Sequence, residues 1–148
     1  KGCSTVGVGT RRITDKNTNK TIAMELNEYQ ERAMATCMPS CDNFSYMMLN
    51  LVGEVGEFAS KVAKMIRKGE AVIDTMDENA HSDLYVNNNC EWDVVKDELK
   101  KEAGDILWQL SGLCSVMGWD LEDVAQGNLD KLASRQQRGV IDGNGDNR

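Results

Sequence analysis

Apolar side chains recur at Met48, Leu51, Val52, Val55, Phe58, Ala59, Val62 and Ile66, the i, i+3, i+4, i+7 spacing of a helix that buries one stripe. A second run, Leu99, Ala103, Ile106, Leu110, Leu113, Cys114 and Met117, repeats the pattern. These runs predict long helices over about residues 46–69 and 93–117. A shorter helix is expected from Leu26 to about Thr36, followed by a turn over Ser40–Ser45. Gly118, the residue type favoured after a helix C-terminus, stops the third helix. Asp120 reads as the N-cap of a fourth helix reaching Arg138, with Glu122 and Asp123 in its first turn. Residues 70–91 read as a loop of low helix propensity with short strand or helix pieces. Residues 1–24, rich in Gly, Thr, Asn and Lys, read as an N-terminal extension, extended around Thr5–Val8. One domain is expected over 25–148, ending in a Gly/Asn/Asp-rich flexible tail, 139–148. The fold class that follows is all-α, an antiparallel helical bundle.

The polar positions beside these stripes carry the chemistry. Glu54-Val-Gly-Glu57 lies in the second helix and Glu102-Ala-Gly-Asp105 in the third. At about 100° per residue, Glu54 stands about 60° from Leu51 and Glu57 about 120°, to the same side. Glu102 and Asp105 stand at the same offsets from Leu99. Both acidic pairs therefore sit on the same shoulder of their apolar stripe. Antiparallel packing of the two stripes, related by a perpendicular two-fold axis, gathers all four carboxylates. Parallel packing would separate them, and residues 58–101 are long enough for the antiparallel return. Clustered carboxylates raise one another's pKa unless a cation compensates. A hard divalent ion with oxygen ligands, Mg²⁺ above all, is the natural compensation. A single Glu-x-x-Glu pair would be read as a solvated face; two pairs at one offset point to a metal.

The residues Leu51-Val-Gly-Glu-Val-Gly-Glu-Phe-Ala59 and Lys101-Glu-Ala-Gly-Asp-Ile-Leu-Trp108 resemble the MazG-like branch of the all-α nucleoside triphosphate pyrophosphohydrolases. The resemblance extends to Tyr29-Gln30 and to the stretch Leu121–Arg135, covering roughly residues 26–148. It implies Mg²⁺-dependent cleavage of a nucleoside triphosphate between its α- and β-phosphates, with Mn²⁺ as a substitute metal. Glu54, Glu57, Glu102 and Asp105 match the metal ligands and form the catalytic set. The resemblance also implies a homodimer or homotetramer. The chain departs from the family pattern in the longer separation of the two motifs, with an Asp/Asn-rich stretch at Asp74–Asn89.

Asn128, Lys131 and Arg135 fall within about 60° of one another on the fourth helix. Lys and Arg donate to phosphate oxygens, Arg to two at once. The ordinary reading of the two cations is a solvated complement to the helix dipole; the family match favours phosphate contact. Among residues that could stack on a base, Trp108, Tyr29, Tyr46 and Phe44, Trp108 has the best claim because it lies one turn from Asp105. With Leu107 it lies off the main stripe, so the fourth helix or another subunit is expected to cover it.

Composition narrows the partners. A net charge of −7 over 148 residues opposes binding to a nucleic-acid polymer, whereas a single nucleotide arrives with its own metal. No apolar run approaches a membrane span and no charged-then-apolar leader appears. Five cysteines without framework spacing, together with Pro39 between Cys37 and Cys41 and a lone His81, read as reduced thiols of a cytoplasmic protein. Two other readings stay open. One is the related phosphoribosyl-ATP pyrophosphohydrolase, whose chain is usually shorter; the other is a helical regulatory module that holds metal without turnover. Di-iron bundles want a Glu-x-x-His from each of two helices, and this chain has a single one, Glu78–His81.

Overall fold

Helix α2, Phe44–Arg67, starts two residues before the apolar pattern suggests because Asn43 caps it, its side chain accepting from the Tyr46 N–H at 2.9 Å. The computed structural model describes residues 23–73, 84–86 and 92–140. The expectations for the N-terminal extension up to residue 22, for most of the Asp74–Asn89 stretch with His81, and for the tail from residue 141 lie outside the described residues. The helices are α1 (Leu26–Met34), α2, α3 (Trp92–Val116) and α4 (Leu121–Gln137), an all-α bundle. Between α2 and α3 the segment read as a loop contributes a two-stranded antiparallel ribbon, β1 (Ala71–Ile73) and β2 (Leu84–Val86), with Ala71 opposite Val86. Among the described residues, no helix is long and apolar enough to cross a membrane.

The helix ends follow local chemistry. α3 terminates at Gly118, whose φ of 68° lets the Trp119 N–H reach the Cys114 carbonyl at 2.9 Å. α2 stops the same way at Gly69. The start of α4 departs from expectation. Asp120 occupies the cap position but its side chain makes no capping bond. The caps come from α1 instead: Gln30 Oε1 accepts from the Leu121 N–H at 2.7 Å, and Asn27 Oδ1 from the Glu122 N–H at 3.0 Å. Gln30 also donates through Nε2 to Ser115 Oγ and to the Trp119 carbonyl, so one buried side chain pins α1 across the α3–α4 turn.

α2 and α3 run antiparallel. Met47, near the start of α2, is fully buried against Gly112 near the end of α3, where an added Cβ would collide with the Met47 thioether. Met65 and Lys68, near the end of α2, share a cavity with Val95 and Leu99 near the start of α3. The buried face of α2 is rotated from the expected stripe. Met47 and Met65 are buried and Leu51, Phe58 and Val62 half-buried, while Met48, Val52, Val55 and Ile66 are exposed. The apolar stripe of α2 is wider than one helix can cover, so part of it turns outward.

Candidate metal centre

Because the α2 contact face is rotated, Glu54 becomes half-buried toward α3, while Glu57, one turn on, stays exposed. Glu102 on α3 is buried at 8% exposure. One carboxylate oxygen from each of Glu54, Glu57 and Glu102 lies within 4.8 Å of the others. Asp105 stands outside that set, yet its charge acts on both Glu54 and Tyr29. Three of the four acids thus converge across the α2–α3 contact with the fourth alongside.

The donor set fits a hard dication. Three carboxylates converging from two helices offer the all-oxygen donor set that Mg²⁺ takes. Gln109, two turns beyond Glu102 on α3 and so about 10.5 Å along the axis, stands apart from the set; its Oε1 is buried with no hydrogen-bond partner among the described residues.

The cluster is electrostatically strained without a metal. Burial is the first cause holding the Glu54 carboxyl above the usual glutamate value, followed by the charges of Asp105, Glu57 and Glu102. The folded protein therefore holds this proton more tightly than the unfolded chain does. The stability it supplies is complete below the ordinary glutamate value and is lost as pH rises through the raised one. Metal-free protein is accordingly expected to lose thermal stability over that acid window. Glu54→Gln should flatten this segment and raise stability near neutrality. Melting curves in chelator from pH 4 to 7 check it, and superimposable profiles for the two proteins would refute it.

A cation missed in the sequence reading lies inside the cluster. Lys61 Nζ stands 2.8 Å from Glu102 Oε1, and this bond is the main cause that holds the lysine above its usual pKa. Its signal was the i+4 spacing from Glu57, which places it on the acidic line of α2.

The other expected residues scatter. Trp108 is covered by α1, not by α4: its Nε1 donates to the Ala33 carbonyl at 3.1 Å and to Thr36 Oγ1 at 3.0 Å. The indole borders an open pocket of about 300 Å³ that is also lined by Met24, Tyr29, Arg32, Ala33 and Thr36. Tyr29 is raised in pKa by burial and then by Asp105, so this pocket adjoins the acids. Phe44 and Tyr46 do not line it. Leu107 remains exposed. Asn128, Lys131 and Arg135 sit on α4, which packs mainly on α1. Arg135 is buried at 7% exposure, so it is not the solvated helix-end charge of the ordinary reading. Cys37, Cys41 and Cys114 are free thiols, with Cys114 in the core.

Comparison with known proteins supplies independent findings. The family model described as the MazG nucleotide pyrophosphohydrolase domain matches residues 43–140, from the cap of α2 to just past the end of α4. The chain is also similar to the "Gene 37 protein" of Mycobacterium phage L5, 39% identical over 109 residues, which cover 74% of this chain and 80% of that one. No solved structure matches it.

Proposed function

Since the chain belongs to the MazG nucleotide pyrophosphohydrolase family, we propose that it hydrolyses a nucleoside triphosphate at the α–β phosphate bond in the presence of Mg²⁺. One water is consumed, and the products are a nucleoside monophosphate and pyrophosphate. The observation that carries this reading is the convergence of Glu54, Glu57 and Glu102 within 4.8 Å. These three residues would hold the metal, with Asp105 beside them as the fourth carboxylate. A bound Mg²⁺ supplies Lewis-acid stabilisation of phosphoryl charge and makes a bound water more acidic.

The chain's own groups do the rest. A carboxylate of the set orients the attacking water by accepting its hydrogen bond. The pocket between α1 and α3 receives the nucleoside, with Tyr29 and Trp108 offering aromatic surface. The hydrogen bonds of the Trp108 indole hold that ring still before any ligand arrives. Asn128, Lys131 and Arg135 take the phosphates. Lys131 is the more exposed of the two cations, whereas removing buried Arg135 would disturb packing. Lys131→Ala is expected to lower kcat/KM about tenfold in protein that remains folded, as for loss of one charge-assisted contact. Unchanged kinetics would remove Lys131 from the site.

A panel of nucleoside triphosphates, with phosphoribosyl-ATP included, assayed for product identity with Mg²⁺ and with Mn²⁺, tests the activity. Pyrophosphate plus monophosphate is the expected outcome. Orthophosphate plus diphosphate would overturn the cleavage position, and a folded, metal-binding protein without turnover on any member would make it a binding module. The setting that goes with this substrate and with free thiols is the cytoplasm.

The outward part of the α2 stripe belongs to a second copy of the chain in this reading. Leu49 is 74% and Val52 63% exposed on that face, with Met48 and Val55 beside them. An apolar strip of this length on a highly charged protein is a contact surface. Light scattering should report a dimer or tetramer for the native chain and a smaller species for Leu49→Glu. A native monomer at working concentration would reject the assembly.

A further inference from the structure

Glu54, Glu57, Lys61, Lys64 and Lys68 are spaced i, i+3, i+7, i+10 and i+14, so α2 carries a single line of side chains that changes sign from acid to base. Lys61 stands at the change. From there its ammonium crosses to α3 and pairs with Glu102, the most buried member of the carboxylate cluster, at 2.8 Å. Glu57 and Glu98 also act on it. An ammonium in that position does for the acids part of what a dication would do, with half the charge.

We infer that Lys61 is an exchangeable counterion: it neutralises the carboxylate cluster in the metal-free protein, yields Glu102 to the metal, and passes its charge to a phosphate of the bound nucleotide. This rests on the pyrophosphohydrolase reading of the site and adds to it a residue that controls metal affinity and substrate affinity in opposite directions.

Three observations carry it. First, Glu102 belongs both to the ion pair and to the set of oxygens that fits a cation, so metal and ammonium compete for one carboxylate. A dication and an ammonium sharing that carboxylate would also repel each other at short range. Second, the ammonium has somewhere to go. A cavity of about 150 Å³ adjoins it, lined by Lys61, Lys64, Lys68, Glu70, Glu98 and Leu99 among others, so it holds two carboxylates as well as two further ammonium groups. The lysine stem is four flexible carbons, and the side chain is one-third exposed, so the movement needs no backbone change. Third, Lys61 is four residues, about 6 Å along the axis, from Glu57. The lysine stem spans that distance, and anionic phosphate oxygens held beside Glu57 would be stronger acceptors than a carboxylate already committed to metal. The simpler alternative is a static tie between α2 and α3, and it predicts different numbers.

The test compares the full native chain with Lys61→Met and Lys61→Arg. Calorimetric titration with Mg²⁺ alone should show Lys61→Met binding about threefold tighter or more, because no ion pair has to be broken first. At saturating Mg²⁺, tripolyphosphate, a base-free mimic of the triphosphate, should bind Lys61→Met about tenfold more weakly. Lys61→Arg should stay near the native chain in both titrations. The melting temperature of Lys61→Met should fall below native without metal and rejoin it with metal. Mg²⁺ binding no tighter in Lys61→Met overturns the competition, and undiminished tripolyphosphate binding overturns the transfer to phosphate. A melting deficit of equal size with and without metal identifies a static tie and overturns both. If the folded native chain binds no Mg²⁺ at all, the pyrophosphohydrolase reading falls with it. Native binding with an unaltered mutant sinks the counterion alone.

Discussion

Glu57→Gln is expected to lower the rate of pyrophosphate release about a thousandfold or more while the protein stays folded. Glu57 lies on the open side of α2, so exchanging its carboxylate for an isosteric amide removes no core packing. What it removes is one of three carboxylates whose oxygens lie within 4.8 Å of one another. Lewis-acid stabilisation of phosphoryl charge is worth several kcal/mol, and each 1.36 kcal/mol is about tenfold in rate. A misplaced or weakly held metal forfeits most of it. Metal-free stability moves the other way, because the charge of Glu57 is among those that strain Glu54. The measurement pairs initial rates over a Mg²⁺ titration with a melting curve in chelator. Near-native turnover at saturating Mg²⁺ would exclude Glu57 from the essential ligands. A lower melting temperature in chelator would show the residue to be structural instead.

Gln30→Leu is expected to cost about 2–4 kcal/mol of folding stability, the sum of lost hydrogen bonds and stranded buried groups. The replacement is close in size, so packing changes little and the polar account dominates. In the native chain the side chain accepts from the Leu121 N–H and donates to Ser115 Oγ and the Trp119 carbonyl. With leucine, the first N–H of α4 loses its acceptor at a residue only 4% exposed. Asp120 does not stand in, since its side chain makes no capping bond. For a domain of this size the loss is a fall in Tm on the order of 10 °C. Mg²⁺ affinity of the folded fraction should hold, because the acids lie on α2 and α3. A Tm within a degree or two of native would show that α1 is not anchored through Gln30.

The acidic site and the Gln30 anchor differ in how far the chain announces them. Helix identity and the acidic pairs are local properties. Period, the Asn43 cap and the glycines after α2 and α3 depend on neighbours within a turn, which is why the four helices fall within a few residues of the expected bounds. The offset of Glu54 and Glu57 matches that of Glu102 and Asp105 for the same reason: a helix converts spacing into direction with no help from the rest of the molecule.

The failures are of another kind. Periodicity marked a stripe on α2 but not which part of it would meet α3, since a band that broad can be rotated by a turn fraction at little cost in buried area. The rotation that buries Met47 against Gly112 also turns Glu54 inward and leaves Leu49 and Val52 outside. The same holds for the helix that covers Trp108, for the side chains that cap α4 and for the lysine that meets Glu102. Each of these pairs residues far apart in the chain, with Gln30 and Leu121 separated by 91 positions and Trp108 and Ala33 by 75. By itself the sequence determined the helices, their ends and the acidic shoulders, because those are settled within a few residues of backbone. Which carboxylates converge, and which cation stands among them, was decided only by tertiary packing, because distance between side chains on different helices depends on the rotation and depth at which those helices meet.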